Sequence, residues 1–302
     1  MRRVVIALLM LAVVTACWAQ DLQARVETMA TEHQGKIAFF AKDLKTGATV
    51  GLDPDRPVAT ASVIKVAIMV EAFYEIKAGK HRLDERLTLT KQNQVEGSGV
   101  LTLMQPGLQP TLQDAITLMI TQSDNTATNM VIDAIGIPAV NQRIAAMGLK
   151  NTYLYKKVFM PPVGPTPADQ KQFGLGKTTP HEMAMILESI ERCDLGDKKL
   201  CEQMIGMMKN QFYRNLIPRY LETVDTTDTT SAIANKTGSE DDVRNDVGIV
   251  YTKHGPIVIS AFTYANKDQS WTADNEAEVF VGKLAKAVVD AWTAPTTASG
   301  KN

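Results

Sequence analysis

The chain has 302 residues, 45% of them hydrophobic and 22% charged, which excludes a disordered or fibrous protein and allows one large domain or two interlocked lobes. A formal net charge of −1 lacks the basic excess of a nucleic-acid binder. No apolar run beyond the N-terminus reaches membrane length, so the body of the protein is expected to be soluble.

The chain opens with Arg2 and Arg3 ahead of an apolar stretch, Val4 to Val14, and then small residues. That layout predicts an export signal over residues 1–19, too short to span a bilayer comfortably. Cys17-Trp18-Ala19 offers a cut after Ala19, which leaves a periplasmic or secreted protein. Val14-Thr15-Ala16-Cys17 offers the alternative of a lipid anchor on Cys17. Residues 1–19 hold two Arg and no acid, so the mature charge becomes −1 − 2 = −3.

A helix is expected over 23–33, then strands over 36–42 and 48–52 about a turn at Lys45-Thr46-Gly47. Val63, Val66, Ala67 and Val70 predict a helix over 62–78 that Gly79 ends. The middle is mostly helical, with helices over 112–121, 127–134, 138–147, 180–190 and 200–211. Between them, 151–179 holds four prolines and three glycines and reads as a long functional loop. Strands return over 230–237, 246–252 and 256–264, and a helix over 274–292 closes the fold. Strands at both ends and helices between them predict an α+β fold: one antiparallel sheet flanked by helices, plus an all-helical lobe. The expected division is an α/β lobe of 20–61 and 221–293, a helical lobe of 62–220 and a frayed tail of 294–302. A cleft between lobes is a common place for an active site.

Three short motifs carry chemistry. Ser62-Val63-Ile64-Lys65 puts a hydroxyl and an ammonium on one face of a helix start. A serine becomes nucleophilic when a neighbouring base takes its proton, and a desolvated lysine beside other cations can share that work. The Ser62 N–H, at a helix start, is positioned to hold an oxyanion. Ser62 as a plain helix cap is the bland alternative, but Lys65 lies among Ile64, Val66, Ala67, Ile68 and Met69, where a lysine needs a reason. In Ser123-Asp124-Asn125, Ser123 can pass a proton to a leaving nitrogen and Asn125 can hold a substrate amide, while Asp124 caps the next helix. In Lys236-Thr237-Gly238, Lys236 and the Thr237 hydroxyl suit a carboxylate, and Gly238 lets a substrate backbone approach. The Ser239 N–H is a second oxyanion donor. The earlier Lys45-Thr46-Gly47 is read as a hairpin turn only.

These motifs in this order resemble the class A β-lactamases and penicillin-binding proteins. The resemblance covers residues 21–292 and includes "LQDAITLMITQSDNTATN" from Leu112 and "KTGSEDDVRNDVGIVY" from Lys236. It implies Ser62 as acylated nucleophile, Lys65 as its proton partner, Ser123 as relay and Asn125 as amide binder. It also implies a carboxylate pocket of Lys236, Thr237 and Ser239, with Arg244 as a further anchor, and it calls for no cofactor. The expected ligand is a β-lactam or a cell-wall peptide, and the expected state is a monomer. One departure stands out. Class A enzymes carry in the long loop a Glu, followed four residues later by an Asn, that positions the deacylating water. Here the loop has no Glu, and its one acid is Asp169. A β-lactam hydrolase with slow release is therefore expected, with a D-Ala-D-Ala peptidase or esterase and a non-turnover binder as alternatives.

After export, Cys193 and Cys201 remain as a pair in an oxidising compartment, at the ends of two predicted helices with a Gly turn between, which predicts a disulfide. His33, His81, His181 and His254 have no metal-ligand spacing and are read as surface residues. Met204, Met207 and Met208 read as helical core.

Overall fold

The computed structural model describes residues 21–165, 167–221 and 233–294. The expected export segment and all but the first residue of the expected tail lie outside them. In chain order a helix α1 over 21–32 leads into strands β1 (Lys36–Asp43), β2 (Thr49–Leu52) and β3 (Val58–Ala59). Helices α2 (Lys65–Lys77), α3 (Leu112–Thr121), α4 (Asn125–Ile135) and α5 (Ile137–Ala146) follow. The long loop contains β4 (Tyr153–Leu154), a short α6 (Gln170–Phe173) and β5 (Gly176–Thr178). Then come α7 (Pro180–Glu191), α8 (Lys198–Lys209), β6 (Ile233–Glu240), β7 (Val243–Tyr251), β8 (Pro256–Tyr264) and α9 (Glu276–Thr293).

The main sheet is five-stranded and antiparallel in the order β2-β1-β8-β7-β6, so the two ends of the chain pair through β1 and β8. Period-2 alternation feeds two cores from one strand. Ile257, Ile259 and Ala261 of β8 meet Leu22 and Val26 of α1 and Phe280, Val281, Leu284 and Val288 of α9. Val258 and Phe262, on the opposite face, join Val247 and Ile249 and the buried faces of α2, α3, α4, α7 and α8 in one continuous core. Helix α7, which the sequence groups with the helical lobe, thus packs on the sheet itself, against β1 and β8. The helical region shares its core with the sheet, so the cleft runs along the boundary of one packed body.

The long loop has more structure than its composition suggests. Its β4 and β5, with β3, form a three-stranded sheet in the order β3-β5-β4, with strands of two and three residues, too short for a visible alternation. The buried Glu182 of α7 anchors the loop's start by accepting from Lys150 N, Asn151 N and Thr152 Oγ1.

Lys45-Thr46-Gly47 is the β1–β2 turn, with Gly47 at φ 80°. Cys193 and Cys201 form a disulfide between α7 and α8, with Cα atoms 5.6 Å apart. Met204, Met207 and Met208 are buried. His33 is a correction to the surface reading. It is buried, its ring stacks on Phe280 at 4.4 Å and its Nδ1 lies 2.9 Å from Glu276, because α1 crosses α9 at that point. The other three histidines pair with carboxylates: His81 with Glu85, His181 with Asp55 and His254 with the buried Asp43.

Candidate active site

Ser62 sits in a 3-10 turn, Ala61–Ile64, and α2 begins only at Lys65, one turn later than the sequence predicts. The turn is held tightly from several sides. Ala61 adopts φ 44°, a left-handed conformation that is strained for alanine and needs support from its surroundings. Thr60 donates its N–H and its hydroxyl to Gly176 O, and Asn245 Nδ2 donates to Ala59 O and Thr60 O. Gly238 closes the clamp. A Cβ there would lie 2.7 Å from Thr60 O, 2.8 Å from Val63 N and 2.9 Å from Ser62 N. The bare Cα therefore admits the backbone of the nucleophile turn, which replaces the expectation that it admits substrate backbone.

Among the described residues the Ser62 hydroxyl makes no hydrogen bond, so it serves as no helix cap. Lys65 is fully buried, and its Nζ lies 2.7 Å from Ser123 O, 2.8 Å from Asn125 Oδ1 and 3.2 Å from Ser123 Oγ. Burial and then the charge of Lys236 hold Lys65 well below the usual lysine range, against the opposing charge of Asp124. The Lys65 Nζ donates to the two carbonyl oxygens and to the Ser123 hydroxyl. Apo hydrogen bonds of this kind commonly tighten with substrate, so the unclosed Ser62–Lys65 contact leaves the proton route available.

Ser123 takes φ 55°, placing its hydroxyl between two lysines, with Lys236 Nζ at 3.0 Å. Asp124 is a structural residue. It caps α4 through Ala127 N and its Oδ2 accepts from Val100 N and Leu101 N, which ties the 96–100 loop to the site. Gly99 allows this, since a Cβ there would lie 2.2 Å from the Asp124 carboxyl carbon. Asn125 gives its Oδ1 to Lys65 and its Nδ2 to Glu96 O. Lys236 is buried at the end of the cleft and burial lowers it to about 7, with Asp246 opposing. Asp246 lies on β7, and burial raises it to about 7 although Asn235 and the Ile217 N–H donate to it.

Ser62, Ser123, Asn125, Thr237, Gly238 and Ser239 line one cleft of about 720 Å³. Lys65 and Lys236 reach it through Ser123. The other wall comes from residues the sequence reading did not assign: Gly97, Ser98, Val158, Phe159, Tyr213 and Trp271. The triplet Gly97-Ser98-Gly99 was the one available signal, because paired glycines often mark close approach. Arg244 is a correction. Although it follows the hairpin as expected, it is fully buried and outside the cleft lining. Its Nη1 donates to Glu240 O and Val243 O, its Nη2 donates to Ser270 O at 2.7 Å, and its Nε lies 3.6 Å from Glu278. Donors committed to backbone carbonyls are not free for a substrate carboxylate.

Asp169 is equally committed. Tyr155 Oη donates to one of its oxygens at 2.7 Å and Lys177 Nζ to the other at 2.6 Å, and none of the three lines the cleft. The stretch of the loop that does line the cleft, Lys156, Val158, Phe159, Gly174 and Leu175, carries no carboxylate. Val158 lines it, with its N–H and C=O both bonded to the Asn129 side chain of α4. Among the described residues no group of three or more His, Cys, Asp or Glu is arranged to hold a metal ion. No helix among them is long and apolar enough to cross a membrane.

The arrangement can activate a serine, hold an oxyanion and accept a carboxylate. The profile of the "Beta-lactamase enzyme family" matches residues 20–292. Beta-lactamase CARB-3 of Pseudomonas aeruginosa is 25% identical over 282 residues, covering 91% of each chain. The crystal structure of a beta-lactamase from Sphaerobacter thermophilus superposes with a TM-score of 0.77 at 28% identity, over 88% of this chain and 95% of that one. PBP-A matches equally, at 0.77 and 25% identity over 90% and 96%, in the form of a glutamate-for-leucine variant in an acyl-enzyme complex with penicillin G.

Proposed function

The chain belongs to the beta-lactamase enzyme family, and on that premise we propose that it acylates Ser62 with β-lactams and releases the product slowly. The observation that carries this is one cleft lined by the acylation machinery, to which the long loop contributes Lys156, Val158, Phe159, Gly174 and Leu175 and no carboxylate. Ser62 Oγ attacks the lactam carbonyl carbon and the C–N bond breaks. The serine proton goes to Lys65, whose charged form burial disfavours, and the leaving nitrogen takes a proton from Ser123, which Lys65 resupplies. The N–H groups of Ser62 and Ser239 hold the oxyanion, and Lys236 and Thr237 take the carboxylate. Hydrolysis of the ester then requires an activated water, for which the loop supplies no carboxylate. The Glu-less loop also favours a second reading, in which the acyl donor is a cell-wall peptide or an ester. The leader over 1–19 and the paired cysteines support export to an oxidising compartment.

Intact-mass analysis after mixing with benzylpenicillin tests the reading. The expected result is a one-equivalent adduct that is absent from Ser62→Ala, on a mature chain that begins at Gln20. An unmodified wild-type mass after prolonged incubation, with the penicillin intact, overturns it.

The pH profile of acylation should carry the signature of Lys236. As pH rises through about 7 the ammonium loses its charge and the carboxylate loses its anchor, so the second-order acylation rate falls. An ionised Asp246 favours the charged lysine, so Asp246→Asn should move that limb to lower pH. A limb that stays in place in stopped-flow profiles would refute the coupling.

A further inference from the structure

We propose that Trp271 is a specificity-determining residue of the cleft, positioned by Arg244, and that it receives a planar ring on the carboxylate-bearing half of the acyl donor. The proposal deepens the acyl-transfer reading above and rests on it.

Trp271 is 67% exposed, yet it lines the cleft with Ser62, Thr237 and Ser239. One face of its indole is occupied. The Arg244 guanidinium lies 4.4 Å from the ring centroid, fully buried and fixed by carbonyls of both the β6–β7 hairpin and Ser270. Such a cation stacked on a tryptophan is among the stronger ring contacts when desolvated.

The loop that carries the indole is equally fixed. Asn275 Nδ2 donates to Asp268 O and Ser270 O, Asp268 accepts from Ser270 N and Glu276 N, and Arg219 donates to Asp274. An exposed tryptophan with one face stacked and its loop pinned is a prepared surface, and binding to it costs little ordering.

The position selects the half of the ligand. Thr237 pairs with Asp246 across the hairpin, and Arg244 lies two residues along the same strand, so Thr237, Asp246 and Arg244 project from one face. Trp271 stands on that side, with the carboxylate pocket. A second aromatic of the cleft, Phe159, stands on the Asn125 side. A Cβ on Gly97 would lie 2.6 Å from Asn125 Nδ2 and 3.1 Å from the Phe159 ring. The amide-bearing half of the donor meets Phe159, and the carboxylate-bearing half meets Trp271.

Two cephalosporins with the same acyl side chain, one with a dinitrostyryl group at C-3 and one with methyl, test this. The readout is the ratio of their second-order acylation rates, followed by intact mass. Replacing Trp271 by Ala should lower the ring-to-methyl ratio by about two- to tenfold, the range of an aromatic pair, and Trp271→Phe should restore most of it. Arg244→Met should lower the same ratio, whereas a merely structural loss would slow both compounds alike. If Arg244→Met does not fold, the Trp271 variants, altered at an exposed position, still decide. An identical ratio in wild type and Trp271→Ala overturns the proposal. Absence of any Ser62 adduct in wild type with either compound instead defeats the acyl-transfer reading, and this proposal with it.

Discussion

Mixed with excess chromogenic cephalosporin, the protein should release about one equivalent of chromophore and then nearly stop, with the acyl group still on Ser62. Acylation draws on groups that the structure brings together: Ser123 Oγ within 3.2 Å of both Lys65 Nζ and Lys236 Nζ, and a nucleophile turn clamped by Gly238. Deacylation draws on a base that the long loop does not supply. A positioned general base is typically worth about 10²–10⁴ in rate. Asp169 cannot supply it while both of its oxygens are held by Tyr155 and Lys177. Val158 marks the gap, because it lines the cleft and the Asn129 side chain fixes its backbone there. A carboxylate put there, in Val158→Glu, would be partly desolvated and so shifted toward the range of a useful base. That variant should speed release by at least about tenfold, a conservative share of what a positioned base contributes. Steady wild-type turnover without a burst would falsify the claim. Asp169→Asn should leave the slow release as it is.

Gly238→Ala should lower acylation by about 10²-fold or more, with a smaller effect on stability. The added methyl would fall under 3.0 Å from three backbone atoms, Thr60 O, Val63 N and Ser62 N, and backbone cannot swing aside as a side chain can. Either β6 retreats or the Ser62 turn does. Both moves separate the Ser62 N–H from the Ser239 N–H, and losing one oxyanion donor costs about 10²–10³ in kcat. The measurement is single-turnover acylation on protein whose thermal transition shows it folded. A rate within about threefold of wild type, which corresponds to less than one kcal/mol, would show that the clamp is not catalytic.

Much of this was legible in the sequence. The three motifs fall at a helix start, a helix cap and a strand, and the apolar surroundings of Lys65 announce its burial. The β8 run is mostly apolar because both faces of that strand are covered, and α9 shows its stripe plainly. What stayed hidden depends on distances between segments far apart in the chain. The need for glycine at 238 arises from the approach of residues 60–63, which no local pattern records. Arg244 reads as a carboxylate anchor until the carbonyls of Glu240, Val243 and Ser270 are found around its guanidinium. The two- and three-residue strands of the small sheet leave no period to detect. His33 gives no sign of its burial, because the partner ring of Phe280 is supplied by the other end of the chain.

The shared core has a mechanical consequence. Since Val247, Ile249, Val258 and Phe262 of the sheet belong to the same packed cluster as the helices across the cleft, no hinge among the described residues divides the two walls. Opening the cleft would mean pulling that cluster apart, with apolar surface exposed at about 25 cal/mol for each Å². The two walls of the cleft are therefore parts of one packed body. Differences in how long an acyl group resides there are then set by solvent reaching the ester rather than by domain motion, and a ligand that matches the walls spends nothing on closing them.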